Sequence, residues 1–432
     1  MHLSFNMSNA TDTSSGARQP LLAGKSIIIA GAGVGGLAFA IALSKQWPYG
    51  AATKPKVTIY ERDSYDDRVG REGYTLSVRS DRRSGGIQVL DKLGLYEKIR
   101  EVSVTGYREG GGAFVLWDRN WNDLLKVKVD SAGPKALHSM RIRRNALQKV
   151  LADGAVDCGA DIRWSTQVVD AERLEGGGMR VNLKDGTTAD CDILIAADGS
   201  KSAIRRCLRP DDGLDFAGVV GMMGTARFET EEQVPKPLDK DWGLILGGNG
   251  KGVGLFASPV DSHSALWSLS YCCKEPRKQV KYPIPEAELT ALMDEARELA
   301  KDFPPKLHDL MSATDPTTFR WFNAMDRPAF RHTVDQHGPV VWIGDANHAV
   351  SPFAGNGANM ALMDAWDLAR CLGQAASLEE GLQEYDQAAV PRALATLKMS
   401  RFNITMFHAT GWRLAFYTIC AKLISFFAIR IW

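Results

Sequence analysis

Three glycines and a glutamate carry the first chemistry legible in this chain. Gly31, Gly33 and Gly36 follow the apolar run 27–30 and precede a second apolar stretch, 37–43. The order is buried strand, G-x-G-x-x-G, helix. Gly31 permits a tight turn, Gly33 lets a pyrophosphate approach the backbone, and Gly36 lets helix and strand pack closely. The helix N-terminus then offers free N–H groups to phosphates. The next apolar strand, 57–60, ends in Glu61, where the second strand of such a unit places an acid on a ribose hydroxyl. An acid rather than an arginine suits an unphosphorylated 2′-OH. Glycine-rich turns are common, and a strand–turn–helix with a surface glutamate is the plain alternative; both features in register favour a dinucleotide.

Two further blocks carry polar groups at the ends of apolar strands. Residues 193–197 run into Asp198-Gly199-Ser200, and 340–343 run into Gly344-Asp345. After the second comes an apolar loop and a helix start, Ser351-Pro352-Phe353-Ala354-Gly355-Asn356-Gly357-Ala358-Asn359. Asp345 can accept hydrogen bonds from a polyol, and the N–H groups of 357–359 can solvate an electron-rich ring edge or an anion. His348 can act as a base, but no carboxylate or nucleophile is evidently paired with it, so it is read as structural. Arg143 and Arg144 open a helix at 144–151, where they oppose its dipole; an anionic ligand is one reason for that placement. In the charge-dense stretch 62–71, either Arg68 or Arg71 faces a phosphate or the segment is a solvated loop.

The elements that must position these groups fit a chain of 432 residues, 45% hydrophobic and 24% charged, with net charge +1. That length holds two or three domains around a large core. The near-neutral balance gives no electrostatic reason to expect nucleic acid. Seven scattered cysteines, with only Cys272 and Cys273 close together, fit a reducing, cytoplasmic setting and speak against a structural metal. Residues 1–24 are polar without an apolar run, and are read as a disordered lead-in. A helix at 85–100, broken near Gly94, is followed by short strands and turns over 106–139 and a β-meander over 161–197. Four strands come next, at 218–227, 242–246, 252–257 and 265–271, with a hairpin at Gly247-Gly248-Asn249-Gly250. In the last of them Ala265, Trp267, Leu269 and Tyr271 share one face, and Leu266, Ser268 and Ser270 the other. The aromatic face suits a pocket wall; for any single aromatic a core position is the simpler assignment. A helix at 285–303 and helices from the glycines to about Trp412, with a break near Pro391, complete the body. The tail, 414–432, is apolar but carries Lys422 and Arg430, which is marginal for a membrane span. Thr418, Lys422 and Ser425 fall on one stripe, so the tail reads as an amphipathic helix packed on the domains or lying on a membrane surface.

The blocks Gly31/Gly33/Gly36 with Glu61, Asp198-Gly199, and Gly344-Asp345 with Gly355 to Asn359 resemble the class A FAD-dependent aromatic monooxygenases, the p-hydroxybenzoate hydroxylase fold. The resemblance covers residues 25 to about 408. It is strongest to the tetracycline-inactivating group, through Tyr60-Glu61-Arg62-Asp63, Arg144-Asn145-Ala146-Leu147, Gly254-Leu255-Phe256-Ala257-Ser258-Pro259 and Pro352-Phe353-Ala354-Gly355. It implies an α/β fold. A discontinuous Rossmann-type FAD-binding domain takes 25–100, 140–210 and 320–375. An inserted, mostly antiparallel β-sheet substrate domain takes 101–139 and 211–319, and a C-terminal helical region takes 376–432.

By the same resemblance Gly31, Gly33 and Gly36 hold the FAD pyrophosphate and Glu61 the adenosine ribose. Arg144 reaches the flavin or its phosphates, Asp198 serves FAD and transient NADPH, and Asp345 holds the ribityl chain. Gly355, Gly357, Ala358 and Asn359 face the isoalloxazine, and Arg62 and Gly73 join the cofactor set. Asn347, Asn356 and Met363 depart from the usual pattern near the flavin. The implied reaction is flavin reduction by NADPH (NADH being the other candidate), oxygen addition to give a C4a-hydroperoxyflavin, and transfer of one oxygen atom to the substrate. No side chain is assigned as catalytic acid or base. Phe256, Trp267, Trp321, Pro352 and Phe353 are expected to line the pocket. The expected substrate is an apolar aromatic or polycyclic molecule without an essential carboxylate, and the expected oligomer a monomer or dimer. A flavin halogenase or reductase on the same fold is a competing reading, the first weakened by the lack of a W-x-W-x-I-P segment. A flavin protein that sequesters a ligand without turnover is another.

Overall fold

The computed structural model describes residues 20–70, 74–81, 85–105, 112–127, 137–278, 280 and 284–431. One half is built on a parallel sheet of β1 (Ser26–Ala30), β2 (Lys56–Tyr60), β8 (Asp161–Arg163), β12 (Ile193–Ala196) and β18 (Val340–Trp342), in the order β18-β12-β1-β2-β8. The central strands are continuous apolar runs because both faces are covered, as parallel sheets require. On one face α1 (Val34–Gln46) lies between α5 (Arg144–Asp157) and α11 (Gly357–Gln374), and their buried side chains form the largest core. On the other lies an antiparallel meander, β9 (Val168–Arg173), β10 (Met179–Leu183) and β11 (Thr188–Cys191).

The other half is a seven-stranded sheet in the order β17-β13-β16-β15-β14-β5-β6. Its strands are β5 (Phe114–Trp117), β6 (Asp123–Val127), β13 (Asp215–Arg227), β14 (Trp242–Ile245), β15 (Val253–Asp261), β16 (Ser264–Cys272) and β17 (Thr314–Asp326). All neighbours are antiparallel except β14 and β5. Helices α7 (Glu286–Ala300) and α8 (Pro305–Ser312) cover one face and close a second core there. A small sheet of β3 (Thr75–Val78), β4 (Ser103–Thr105) and β7 (Met140–Arg143) joins the halves. Short helices α2 (Tyr65–Gly70), α3 (Gly86–Lys92), α4 (Tyr96–Glu101), α6 (Ala203–Leu208), α9 (Val334–His337) and α10 (Asp345–His348) occupy the connections.

Five details differ from the sequence reading. Strand β17 carries the seven-stranded sheet on to Asp326, so that sheet does not end at residue 319. Residues 103–105 pair with β7 rather than with the large sheet, and 161–163 join the parallel sheet rather than the meander. Helix α12 (Leu378–Phe407) runs unbroken through Pro391. Residues 1–19 of the expected lead-in lie outside the described residues, but Leu22 is fully buried in the core.

The tail forms α13 (Gly411–Ile431). Leu414, Tyr417 and Ala421 pack on Leu116 and Leu124 of the sheet edge. The polar stripe splits: Thr418 and Ser425 turn half-buried toward the body and Lys422 stays exposed. Trp412, Phe416, Ile419, Leu423, Ile424, Phe426 and Phe427 remain exposed on the outer side. No helix among the described residues is long and apolar enough to cross a membrane.

Candidate functional site

A cavity of about 1590 Å³ runs between the parallel sheet and the seven-stranded sheet. Single small-molecule sites measure roughly 300–1,000 Å³, so the volume leaves room for a dinucleotide and a second ligand. At one end sits the N-terminus of α1. Gly33 is its N-cap, extended and without a side-chain capping bond. Gly31 has φ 105°, and a Cβ there would stand 2.5 Å from the Ala197 carbonyl oxygen; a Cβ on Gly36 would stand 2.2 Å from that of Gly31. Both glycines are therefore required by close backbone approach. Glu61 is buried at the cavity wall, where Oε2 accepts from the Ala32 N–H at 2.8 Å and Oε1 from the Asp63 N–H at 3.0 Å. Arg62, paired with Asp63 at 3.4 Å, and Arg144 at the start of α5 also line the cavity. Asp198 uses Oδ2 to accept from the N–H of Ala203 at 2.7 Å, which fixes α6, while its buried Oδ1 has no hydrogen-bond partner among the described residues. Burial pushes this carboxyl up.

At the far side of the parallel sheet the chain turns at Gly344, with φ 56°, and presents Asp345. Asp345 opens onto the cavity, so its accessible surface is cavity wall rather than protein exterior. Among the described residues nothing donates to its carboxylate, and desolvation pushes its pKa up against the nearby charges of His348 and Arg144. The turn is held from below by a buried ionic group absent from the sequence reading. His348 Nε2 meets Asp364 Oδ2 at 2.6 Å, and the Gly344 N–H donates to the same oxygen at 3.1 Å. Arg392 bridges Asp364 at 2.9 Å and Asp367 at 2.8 Å. Burial alone would raise Asp364; the charges of His348 and Arg392 outweigh it and hold the carboxyl at about 2. Asp364 in turn raises His348 against the desolvation that would lower it. His348 does have a carboxylate partner, contrary to the sequence expectation, and the pair serves to hold the Asp345 turn.

A 3-10 turn, Pro352–Ala354, then leads into α11. Pro352, Phe353, Gly355, Gly357 and Ala358 line the cavity, and Asn356 caps the helix without a side-chain capping bond, so the first N–H groups have no intrahelical acceptor. Asn359 does not turn its side chain to the cavity. It is fully buried, accepting from the Arg79 N–H at 2.8 Å and donating to the Ser77 carbonyl at 2.9 Å, so it ties α11 to the end of β3. Of the departures from pattern, Asn347 pairs with both backbone groups of Phe330 at 3.1 Å. Met363 packs its sulfur 3.2 Å from where a Cβ on Gly85 would stand. Gly73, Arg71 and the side chain of Arg68 lie outside the described residues.

Two pocket residues need correction. Trp267 is fully buried on the helix-covered face of the sheet, donating Nε1–H to Thr314 Oγ1 at 2.7 Å and packing near Phe319. Trp321 lies in the same core under α7 and α8. The cavity is walled by the opposite face of those strands, through Met223, Leu266, Ser268, Ser270 and Phe322, with Phe256 from β15 and Trp242 and Leu244 from β14. The strands were located correctly; the aromatic residues marked the wrong side of them.

Two polar features of this compartment were missed. Arg141 on β7 is 4% exposed and lines the cavity, with its guanidinium 5.6 Å from the Phe256 ring and 6.0 Å from Trp242. The alternation Met140-Arg141-Ile142-Arg143 carried the signal: Met140 and Ile142 enter the core and turn Arg141 to the cavity side. At the other end Ser270 Oγ meets His408 Nε2 at 3.0 Å, and His408 Nδ1 meets the Ile404 carbonyl at 2.7 Å. The carbonyl fixes the tautomer, so Nδ1–H donates and Nε2 accepts from the Ser270 hydroxyl. Their separation of 138 residues left no local signal.

A family model described as "FAD binding domain" matches residues 25–400. The chain is 35% identical over 401 residues to "Monooxygenase cfoF" of Aspergillus candidus, covering 91% of this chain and 94% of that protein. It is 28% identical over 409 residues to "FAD-dependent monooxygenase adaC" of Aspergillus niger, covering 88% and 93%. The fold matches Klebsiella pneumoniae HpxO complexed with FAD and uric acid at a TM-score of 0.70 and 21% identity, over 92% of this chain and 93% of that one.

Proposed function

Because this chain belongs to the FAD binding domain family and to its FAD-dependent monooxygenases, we propose that it uses NADPH or NADH, together with O2, to insert one oxygen atom into a ring-containing small molecule. The outcome is hydroxylation or epoxidation, in secondary metabolism or in the modification of a foreign compound. The cavity supports this assignment: one end is lined by Gly31, Gly33 and Glu61, which suit a dinucleotide, and the same cavity extends to a region walled by Phe256, Leu266 and Phe322.

The residues present fit FAD. The α1 N-terminus is uncapped beside the close-approach glycines, Asp198 keeps an orphaned buried oxygen, and the Asp345 carboxylate is open. Gly31, Gly33 and Gly36 would hold the pyrophosphate, Glu61 a ribose, Asp345 the ribityl hydroxyls, and the N–H groups of 357–359 the ring edge. Bound FAD supplies the oxygen-activating chemistry, and the chain supplies orientation and a dry compartment. Glu61 and Asp345 would place the cofactor, the buried Asp364 group holds the Asp345 turn, and Pro352 and Phe353 line the cavity beside it.

The test is the visible spectrum of the purified protein, then NADPH and NADH oxidation in air with peroxide measured in parallel, across aromatic polyketides, indoles and terpenoids. Stimulated oxidation without matching peroxide is the expected result. A colourless protein that takes up no FAD would sink the assignment. Bound FAD without stimulated oxidation by any compound would favour a ligand-sequestering protein.

The outer side of α13 supports a peripheral surface contact. Vesicle sedimentation of the full chain and of a chain ending at residue 410 tests it; equal sedimentation would remove the contact.

A further inference from the structure

Among the described residues three arginines are almost fully buried, and they are paired differently. Arg327 pairs with the Asp212 carboxylate at 3.1 Å. Arg205 meets the backbone carbonyls of Ser200, Asp212, Asp345 and Ala346, off the cavity wall. Arg141 also meets no acid, and of the three it is the one that lines the cavity. Its Nε–H donates to Ser258 Oγ at 3.1 Å, Nη1 to Ser77 Oγ at 2.9 Å, and Nη2 to the Thr75 carbonyl at 2.8 Å and to Thr75 Oγ1. Every one of these acceptors is neutral, and among the described residues no carboxylate reaches the guanidinium. Four of its five N–H groups are fixed by the protein, and one on Nη1 is left. Desolvation lowers the pKa to about 9, with no acid offsetting it. A buried cation without a counter-charge is costly, and such groups are paired in folded proteins.

The surroundings describe what would pair with it. The guanidinium stands at the corner where β7 meets β15, with the rings of Trp242 and Phe256 beside it. From Ser258, which holds Arg141, along β15 to Gly254, which faces Ser270 across the sheet, is four residues, or about 13 Å of strand. That wall is lined by Phe256, Leu266 and Ser268, and ends at the Ser270 hydroxyl.

Resting on the monooxygenase assignment, we infer that the substrate compartment takes a flat fused-ring molecule bearing an oxyanion, a ring carboxylate or an ionised phenol or enol, with the anionic oxygen on Arg141. This departs from the sequence expectation of a ligand without an essential acid. Arg141 is a specificity-determining residue, and the neutral hydroxyls of Thr75, Ser77 and Ser258 orient its charge without cancelling it.

The probes are 2-naphthoate, methyl 2-naphthoate and 2-naphthol, titrated into the full-length protein by calorimetry and by the flavin visible band. The wild-type protein is expected to bind 2-naphthoate at least tenfold more tightly than its methyl ester. Arg141→Met should bring the two within twofold at unchanged FAD content, and Arg141→Lys should retain part of the preference. Binding of 2-naphthol that tightens as pH rises through its ionisation supports a phenolate or enolate; a flat profile beside tight naphthoate binding supports a carboxylate. Equal binding of acid and ester by the wild-type protein, together with 2-naphthol binding that does not change with pH, overturns the proposal, whether or not the Met variant folds. So does a Met variant that keeps the preference, or one that loses FAD and not the preference. A wild-type protein that takes up no FAD yet prefers the acid would remove the flavin assignment and leave the Arg141 site standing.

Discussion

The two faces of the seven-stranded sheet are made from the same strands and do opposite work. The face under α7 and α8 is closed: Trp267, Leu269, Phe319 and Trp321 fill it, and the Trp267 indole N–H is satisfied internally by Thr314. The cavity face is open: Leu266, Ser268, Ser270 and Phe322 come from the alternate positions and mix hydroxyls with half-buried rings. Each face even has its own glycine. A Cβ on Gly224 would meet the Trp267 ring at 3.1 Å and Thr314 Cγ2 at 2.7 Å; one on Gly221 would meet the Phe322 ring at 2.4 Å. On β16 and β17 the tryptophans therefore mark the packed face, while the hydroxyls of Ser268 and Ser270 mark the face that can bind.

Substitutions can break or sharpen this contrast. Trp267→Ala should have the largest effect, about 3–5 kcal/mol of lost stability in urea unfolding, with FAD affinity of the folded protein unchanged; a loss of ligand affinity without a loss of stability would reverse the assignment of the faces. Gly224→Ala should follow, at roughly 1–3 kcal/mol, because Thr314 and Trp267 cannot retreat in a filled core. On the open face Phe322→Ala should cost only about 1 kcal/mol but weaken fused-ring ligands severalfold in the flavin-band titration. Gly221→Ala should act the same way, by pushing the Phe322 ring into the cavity, and an unfolding cost matching that of Gly224→Ala would show the two faces equally packed.

The smallest effect concerns pH. Burial lowers the pKa of His408 below its ordinary value. A histidine whose folded pKa is depressed adds stability that is present above its unfolded value, about 6.5, and is lost as pH falls toward the folded one. The melting temperature of His408→Gln should therefore fall less between pH 7.5 and 5.5 than that of the wild-type protein. An identical slope would place the titration elsewhere.

The order of strands, the glycine cradle and the turn at Asp345 were legible because each depends on a local pattern: an apolar run, then glycine, then a polar residue. Alternation in β16 also revealed two faces. It could not say which one met the helices, since that depends on α7 and α8, which come after β16 in the chain. Asp364 and Arg392 were invisible for a similar reason. They meet His348 only once α11 and α12 pack together, and nothing within one helix signals it. Asn359 stands at a helix N-terminus, which suggests a ligand, but the nearby β3 claims its amide first. Arg141 was the most recoverable omission, a cation at an alternate position of a short apolar strand.

The parallel sheet has a consequence for how the protein is made. Its cradle glycines follow the first strand, β1, whereas the Asp345 turn and the uncapped start of α11 follow the last, β18. At a synthesis rate of roughly 5–20 residues per second, on the order of 15–60 s separates their emergence from the ribosome. Until β18 emerges, β12 has no partner on its outer edge, and the cofactor cleft lacks the Asp345 turn and the start of α11. The cofactor cleft is thus completed late on the nascent chain.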